Sequence, residues 1–493
     1  MTTIAAAAAE TNAGAVRARN RQFLAAAATA FALFFLCDAY LFSLEGFRRH
    51  YGSATQEGQE LSKVARARHL AAIADVALFG SSYVRSGVSG EPFLEQGIVP
   101  FNFAVSGGGP LFDYFALRRI APVLRAAGHR PWIVVELKRD ALEADSQLWA
   151  EYPQYLGIVR SRTEMLQFAP MLWPSFRDYN MTSQFLSGLV VPSSIYRSHA
   201  VQILGACSAS SLNGYFYGME DFSGYSPLYT VAAESLFHRP LDDRPLRVSE
   251  GKRRFLVAFL RLASDLGCPI ALYSSPTLHG DHDAAVYDTL VDQLRSDFPR
   301  VQHLRTDEYG LRPDDFDEGG HPNLHGADRL SRHLIARLGL RGDAGAMTKR
   351  LADAFEIVRL APVASWTLAS RAHAVGDRTI ALDDTTRLAT VADAPPIGVT
   401  AGREYVLEAG MAVGHGRISI HVGWHDTSSG RREERSASSP LDPSLAADGR
   451  VFLRFKPNAD SIHVSVVDTD ALDGRAPSEG RVEILRLWGD LVD

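Results

Sequence analysis

Three short stretches carry residue types and spacings that could do chemistry. In DVALFGSSYVRSG, Gly80-Ser81-Ser82 closes an apolar run. Glycine permits a sharp turn there, and a serine on such a turn is placed to act as a nucleophile. In FNFAVSGGGP, Gly107, Gly108 and Gly109 follow a second apolar run and precede a helical pattern. Glycines let backbone N–H groups come close to a ligand, as holding an oxyanion requires. In FDEGGHPNLHGADRL, His321 lies in a Gly/Pro loop, Asn323 can cap the helix that follows, and Asp317 and Glu318 stand just upstream. A histidine oriented by a carboxylate is the general base that activates a serine hydroxyl. Singly, each stretch is ordinary. Most Gly-Ser-Ser turns are structural, the Gly triplet lacks the Lys of a phosphate loop and the spacing of a dinucleotide fingerprint, and the chain has 16 histidines. The information lies in the order of the three along one α/β unit.

The elements that must position them are alternating strands and helices. Apolar runs at Val76–Phe79, Pro100–Val105, Trp132–Leu137 and Ile270–Tyr273 read as strands. Helical patterns cover Leu111–Ala127, Lys252–Leu266 and Leu324–Leu338; in the last, Ala327, Leu330, Leu334 and Leu338 share one face. Continuous apolar strands between amphipathic helices imply a parallel sheet covered on both sides. Ligands bind such sheets beyond the carboxyl ends of the strands, where all three stretches fall. Residues 145–250, aromatic and Ser/Gly-rich, read as a long insertion over the sheet edge. Beyond about residue 345 the pattern changes to period two. Ile418, Ile420, Val422 and Trp424 alternate with other residues, as do Val451, Leu453 and Phe455, and Ile462, Val464 and Val466. Several such strands imply a β-sandwich over 360–493. Trp366, Trp424 and Trp488 could stack on sugars, but each reads better as core, Trp424 above all because it continues an alternating face.

Over roughly residues 71–340 of an α/β domain spanning 71–345, the combination resembles the SGNH (GDSL-like) hydrolase superfamily. In particular it resembles membrane-anchored members that act on surface polysaccharides, the alginate O-acetylation proteins and the teichoic-acid D-alanyl transfer protein. The resemblance implies a flavodoxin-like three-layer α/β sandwich with a parallel sheet. It makes Ser82 the nucleophile, places Gly107 in the oxyanion hole and makes His321 the base. Two departures stand out. The family's Gly-x-Asn-Asp block is absent, and the equivalent strand end reads VVELKRDAL, without the asparagine oxyanion donor. The last block, normally Asp-x-x-His, has Asp317 four residues before His321 and Glu318 three before, so either carboxylate can be the triad acid. The implied activity is acyl transfer, with a polysaccharide acceptor and an acyl donor supplied by a membrane acyltransferase. An esterase of the same fold and a non-catalytic glycan-binding scaffold are the alternatives. No cofactor or metal is implied.

The N-terminus bears on location. Phe23–Phe42 holds five Phe, four Leu, seven Ala and one charge, Asp38. Twenty such residues span ~30 Å as a helix. Arg17, Arg19 and Arg21 precede the segment and favour a cytoplasmic N-terminus, although Arg48 and Arg49 follow it. The expected order is a cytoplasmic tail (1–22), an inner-membrane anchor (23–43), a stalk (45–70) and a periplasmic bulk, with a cleaved signal peptide as the alternative. A formal charge of −6 without a long basic run argues against a nucleic-acid partner. The three cysteines, Cys37, Cys207 and Cys268, are too few and too scattered for a disulfide framework or a Cys-rich zinc site.

Overall fold

The computed structural model of the chain describes residues 19–37, 63, 69–143 apart from 106, 166, 170, 228, 232, 246–278, 283–358 apart from 318, 360–368, 372–382, 390–425, 430–438 apart from 431, 449–468 and 479–490. The stalk and the 145–250 insertion lie almost wholly outside them. Helix α1, Arg19–Cys37, is long and apolar enough to cross a membrane, a property it shares with signal sequences.

The α/β unit is built on five parallel strands: β1 (Val76–Phe79), β2 (Pro100–Asn102), β3 (Trp132–Leu137), β4 (Ile270–Ser274) and β5 (Gln302–Leu304). Their order is β2-β1-β3-β4-β5, the flavodoxin-like order with its switch point between β1 and β3. Every residue of β1 is buried because both faces are covered. Val76 and Leu78 face one helical layer, and Ala77 and Phe79 the other. The first layer holds α2 (Ser82–Gly87), α3 (Glu91–Glu95) and α8 (Leu324–Arg337). The second holds α4 (Pro110–Ala127), α6 (Glu250–Asp265) and α7 (Ala284–Asp297). A single turn, α5 (Arg139–Leu142), follows β3.

The local sequence explains the boundaries. Helix α4 opens on Pro110, whose fixed φ suits a first helical turn, and stops at Gly128 with φ +65°. Helix α6 opens on Ser249, whose side chain accepts from the Lys252 N–H. The strand expected over Pro100–Val105 pairs only as far as Asn102. Strand β5 was not anticipated, because three residues with only Leu304 buried give no periodicity to read.

Among the described residues, the C-terminal region is a sandwich of two six-stranded sheets. One contains β7 (Thr367–Leu368), β10 (Thr390–Asp393), β11 (Ile397–Gly398), β13 (Ile418–His425), β14 (Arg432–Ser438) and β16 (Ser461–Asp468). The other contains β6 (Phe355–Val358), β8 (Ala372–Val375), β9 (Thr379–Leu382), β12 (Tyr405–His415), β15 (Gly449–Phe455) and β17 (Glu479–Asp490). The alternating residues Ile418, Ile420, Val422, Val451, Leu453, Phe455, Ile462, Val464 and Val466 fill the space between them. Trp366, Trp424 and Trp488 are each at most 6% exposed, so all three are core, the stronger reading for each, rather than a sugar-stacking platform.

No linker separates the two regions. Helix α9 (Ala344–Ala354) packs Leu351 and Ala354 into the α/β core and runs directly into β6, whose Phe355 lies against Trp488. Strands β12 and β15 place Val406 and Phe452 on Ala327 of α8. Arg450 pairs with Glu91 of α3 at 2.6 Å and with Glu408 of β12 at 3.3 Å.

Candidate active site

Strand β1 delivers the chain to Gly80 at the sheet's switch point. Gly80 has φ +146°, a conformation that L side chains rarely adopt. Ser81 then caps α2, its side chain accepting from the Tyr83 N–H at 3.3 Å, and Ser82 is the first helical residue. The buried Asn102 of β2 holds α2 in place by donating to the Val84 carbonyl at 2.9 Å and the Val88 carbonyl at 3.3 Å. Ser82 is thus presented by a short helix pinned to the neighbouring strand.

His321 comes from a tight loop closed by a bridge between Phe316 and Pro322. The Asp317 N–H donates to the His321 carbonyl at 2.8 Å, and the Gly320 N–H to the Asp317 carbonyl at 3.0 Å. Gly320 takes φ +77° at the loop tip. Asn323 caps α8 by accepting from the His325 and Gly326 N–H groups, and donates to the Asp314 carbonyl at 2.8 Å. Pro322 packs where a Cβ on Gly87 would lie, 3.0 Å from its Cγ, so the end of α2 and the histidine loop fit directly together.

These two pieces bring Ser82 Oγ to 2.8 Å from His321 Nε2. That is hydrogen-bond reach for a nucleophile and its base. With Nε2 facing the hydroxyl, Nδ1 faces Asp317 Oδ1 at 3.7 Å. The same carboxylate oxygen accepts from the His321 backbone N–H at 2.7 Å. Asp317 therefore braces the loop through the His321 backbone and lies near the ring at 3.7 Å, too far for a direct hydrogen bond to Nδ1. Glu318, the other candidate acid, lies outside the described residues. Gly107, with φ +71°, lies on the loop between β2 and α4. Next to it Gly108 packs so tightly on the Gly80–Ser82 turn that a Cβ would sit 2.2 Å from the Gly80 carbonyl oxygen.

Four side chains at the site went unread in the sequence. The Tyr83 ring lies against the His321 imidazole with centroids 4.2 Å apart. Lys138, just past β3, places its Nζ 3.8 Å from the Tyr83 ring centroid and 2.9 Å from Asp140. Burial pushes the Tyr83 phenol up, partly opposed by Lys138. Burial alone would lower the Lys138 ammonium, but Tyr83, Asp140 and Glu136 outweigh it and raise it, so it stays charged. Glu136 and Asp113 lie buried beneath the turn. The readable signal was a charge inside the apolar run WIVVEL. Among the described residues, no group of three or more His, Cys, Asp or Glu could hold a metal ion.

No protein-family model matches the chain. No curated protein matches it either. Solved structures share its likeness at low identity. A two-domain esterase active on acetylated mannans, co-crystallized with mannopentaose, is similar over 88% of this chain and 95% of its own, at 11% identity and a TM-score of 0.21. The CBM22-1 xylan-binding domain of Paenibacillus barcinonensis Xyn10C matches 28% of this chain and 98% of its own, at 11% identity and a TM-score of 0.22. The CBM22-1 and GH10 modules of Clostridium thermocellum endo-1,4-beta-D-xylanase 10B match at 12% identity and a TM-score of 0.21. There the match spans 28% of each chain, little more than a quarter of that xylanase. The functional reading rests on the geometry of Ser82 and His321.

Proposed function

We propose that this chain is an O-acyltransferase that moves an acetyl group onto a hydroxyl of an exported polysaccharide through an acyl-Ser82 intermediate, at the periplasmic face of the inner membrane. The observation that carries the reading is the 2.8 Å contact between Ser82 Oγ and His321 Nε2. A base in reach of the hydroxyl favours a catalytic site over a degenerate scaffold.

Ser82 Oγ attacks the ester carbonyl carbon of the donor as its proton passes to His321 Nε2. Backbone N–H groups of Ser82 and Gly107 hold the oxyanion. Asp317 stabilises the imidazolium. Collapse breaks the bond to the donor alcohol, which leaves with the proton from His321. An acceptor hydroxyl then gives its proton to His321, attacks acyl-Ser82 and takes the acetyl group, and Ser82 recovers its proton. Water in place of the acceptor makes the same site an esterase. Water stands at ~55 M, so transfer must win by positioning, and well-oriented groups reach effective molarities of ~10⁵ M or more. An anchor near the emerging polymer and a sandwich docked beside the site both serve that positioning.

The test supplies the full chain in detergent with a small activated acetyl ester and an acceptor oligosaccharide. Acetylated sugar should accumulate and exceed free acetate. Acetate release indifferent to every acceptor means an esterase, and no turnover at all favours the scaffold.

A further inference from the structure

The turn that presents Ser82 is held from below by a carboxylate. Glu136 is the fifth residue of the strand WIVVEL and is 2% exposed. A buried charge is costly unless it is hydrogen-bonded. No Lys or Arg among the described residues lies within ion-pair distance of it. Instead, Oε2 accepts from the Ser81 backbone N–H and Oε1 from the Ser275 hydroxyl. Ser81 is the residue directly before Ser82, so the carboxylate grips the backbone of the nucleophile turn itself.

Two close approaches make this grip specific. A Cβ on Gly80 would lie 2.5 Å from Glu136 Cβ and 2.6 Å from Glu136 Oε2. The carboxylate occupies the space that any side chain at position 80 would need. On the other side, Gly108 presses on the Gly80 carbonyl, so the turn is clamped between Glu136 and the glycine loop.

A second buried carboxyl, Asp113 in the first turn of α4, completes the cluster. Neither of its oxygens makes a well-formed hydrogen bond. Burial pushes Asp113 well above the usual carboxylate range, Glu136 adds to the push, and the Gly80 N–H opposes it. Two adjacent buried carboxyls do not both ionise readily. Asp113 is therefore favoured in its neutral form, while the Glu136 oxygens are engaged by the Ser81 N–H and the Ser275 hydroxyl.

We propose that Glu136 is a positioning residue for the Ser82 nucleophile, fixing the Ser81–Ser82 turn at attack distance from His321. This rests on the acyl-Ser82 reading above.

The test measures kcat and KM on a small activated acetyl ester, together with the labelling rate of Ser82 by a serine-reactive probe. Glu136→Met keeps the volume and removes both acceptors. It should lower kcat and the labelling rate by about 100-fold, the scale of an ångström-sized misplacement, with KM changed less than about threefold, as expected for an interaction realised in the transition state. Glu136→Gln keeps an acceptor for Ser81 and can donate to Ser275, so it should recover most of the loss. If Glu136→Met does not fold, Glu136→Asp decides. It keeps the charge but shortens the reach, so it should turn over more slowly than Glu136→Gln. The reverse order, or Glu136→Met acting like the wild type, overturns the proposal. Wild-type protein that neither turns over nor labels at Ser82 removes the acyl-Ser82 reading and this proposal with it. An active, labelled wild type beside an equally active Glu136→Met removes this proposal alone.

Discussion

At the residue scale, the site is a serine and a histidine in contact, and the carboxylates around them divide the work by environment. Asp317 shares one oxygen between the His321 backbone and its ring. If it is the triad acid, Asp317→Asn should cost about 10⁴-fold in kcat, the size seen when such a carboxylate is neutralised, while Glu318→Gln stays within about threefold of wild type. Esterase kinetics on both variants decide between them, and the opposite pattern moves the role to Glu318. Asp113 governs stability instead. Its folded value is raised above the ordinary Asp value of 3.8, first by burial. The native state therefore holds a proton that the unfolded chain releases once pH passes that value. Its contribution to stability is fully present below pH 3.8 and is lost as pH rises through the folded value. The slope across that window is up to about 1.4 kcal/mol per pH unit. Asp113→Asn removes this slope, so thermal melts should show it gaining on the wild type as pH rises above 3.8 toward the folded value. A constant difference across that range would show that Asp113 is not protonated in the fold. That Ser82, Asp317 and His321 would lie together was legible in the sequence because turn glycines and a short motif mark them. Tyr83 and Lys138 were not, since their role comes from stacking across two strand ends that only the β1–β3 pairing brings together.

At the element scale, the strands and helices that carry the site were readable from periodicity. Strands β1 and β3 fall on the residues their apolar runs indicate, and α4 and α8 lie within a residue of theirs. What periodicity could not give was how the sandwich sits on the α/β unit. The sheet containing β12 and β15 docks on α3 and on α8, the helix that begins three residues after His321. The contact is mixed: Val406 and Phe452 meet Ala327, and Arg450 bridges Glu91 and the buried Glu408. Burial raises Glu408, and Arg486 and Arg450 pull it back. Removing one partner of a buried charge leaves the other uncompensated, at a cost of about 3–5 kcal/mol. Arg450 is partly exposed and Arg486 remains near Glu408, so we expect Arg450→Ala to cost about 2 kcal/mol, read from denaturant unfolding. A loss below about 0.5 kcal/mol would mean that the pairing is a solvated surface contact. A chain cut at residue 345 would also lose most of α9, with Leu351 and Ala354 from the α/β core.

At the scale of the whole molecule, a five-stranded parallel sheet presents Ser82 at its switch point, a twelve-stranded sandwich buttresses the histidine helix, and one N-terminal helix is apolar enough to enter a membrane. Class and order of these parts follow from composition: continuous apolar strands, then alternating ones, after a Phe- and Leu-rich segment. The central claim is that Ser82 becomes acylated with His321 as its base. Its most direct measurement is mass spectrometry of peptides from the full chain, quenched after brief exposure to an activated acetyl ester. The acetyl group should map to the peptide containing Ser82, be absent in Ser82→Ala, and form at least about 10³-fold more slowly in His321→Ala, since losing one triad member removes most of the catalysis. An acetyl group on another residue, or the same rate on Ser82 without His321, would contradict it.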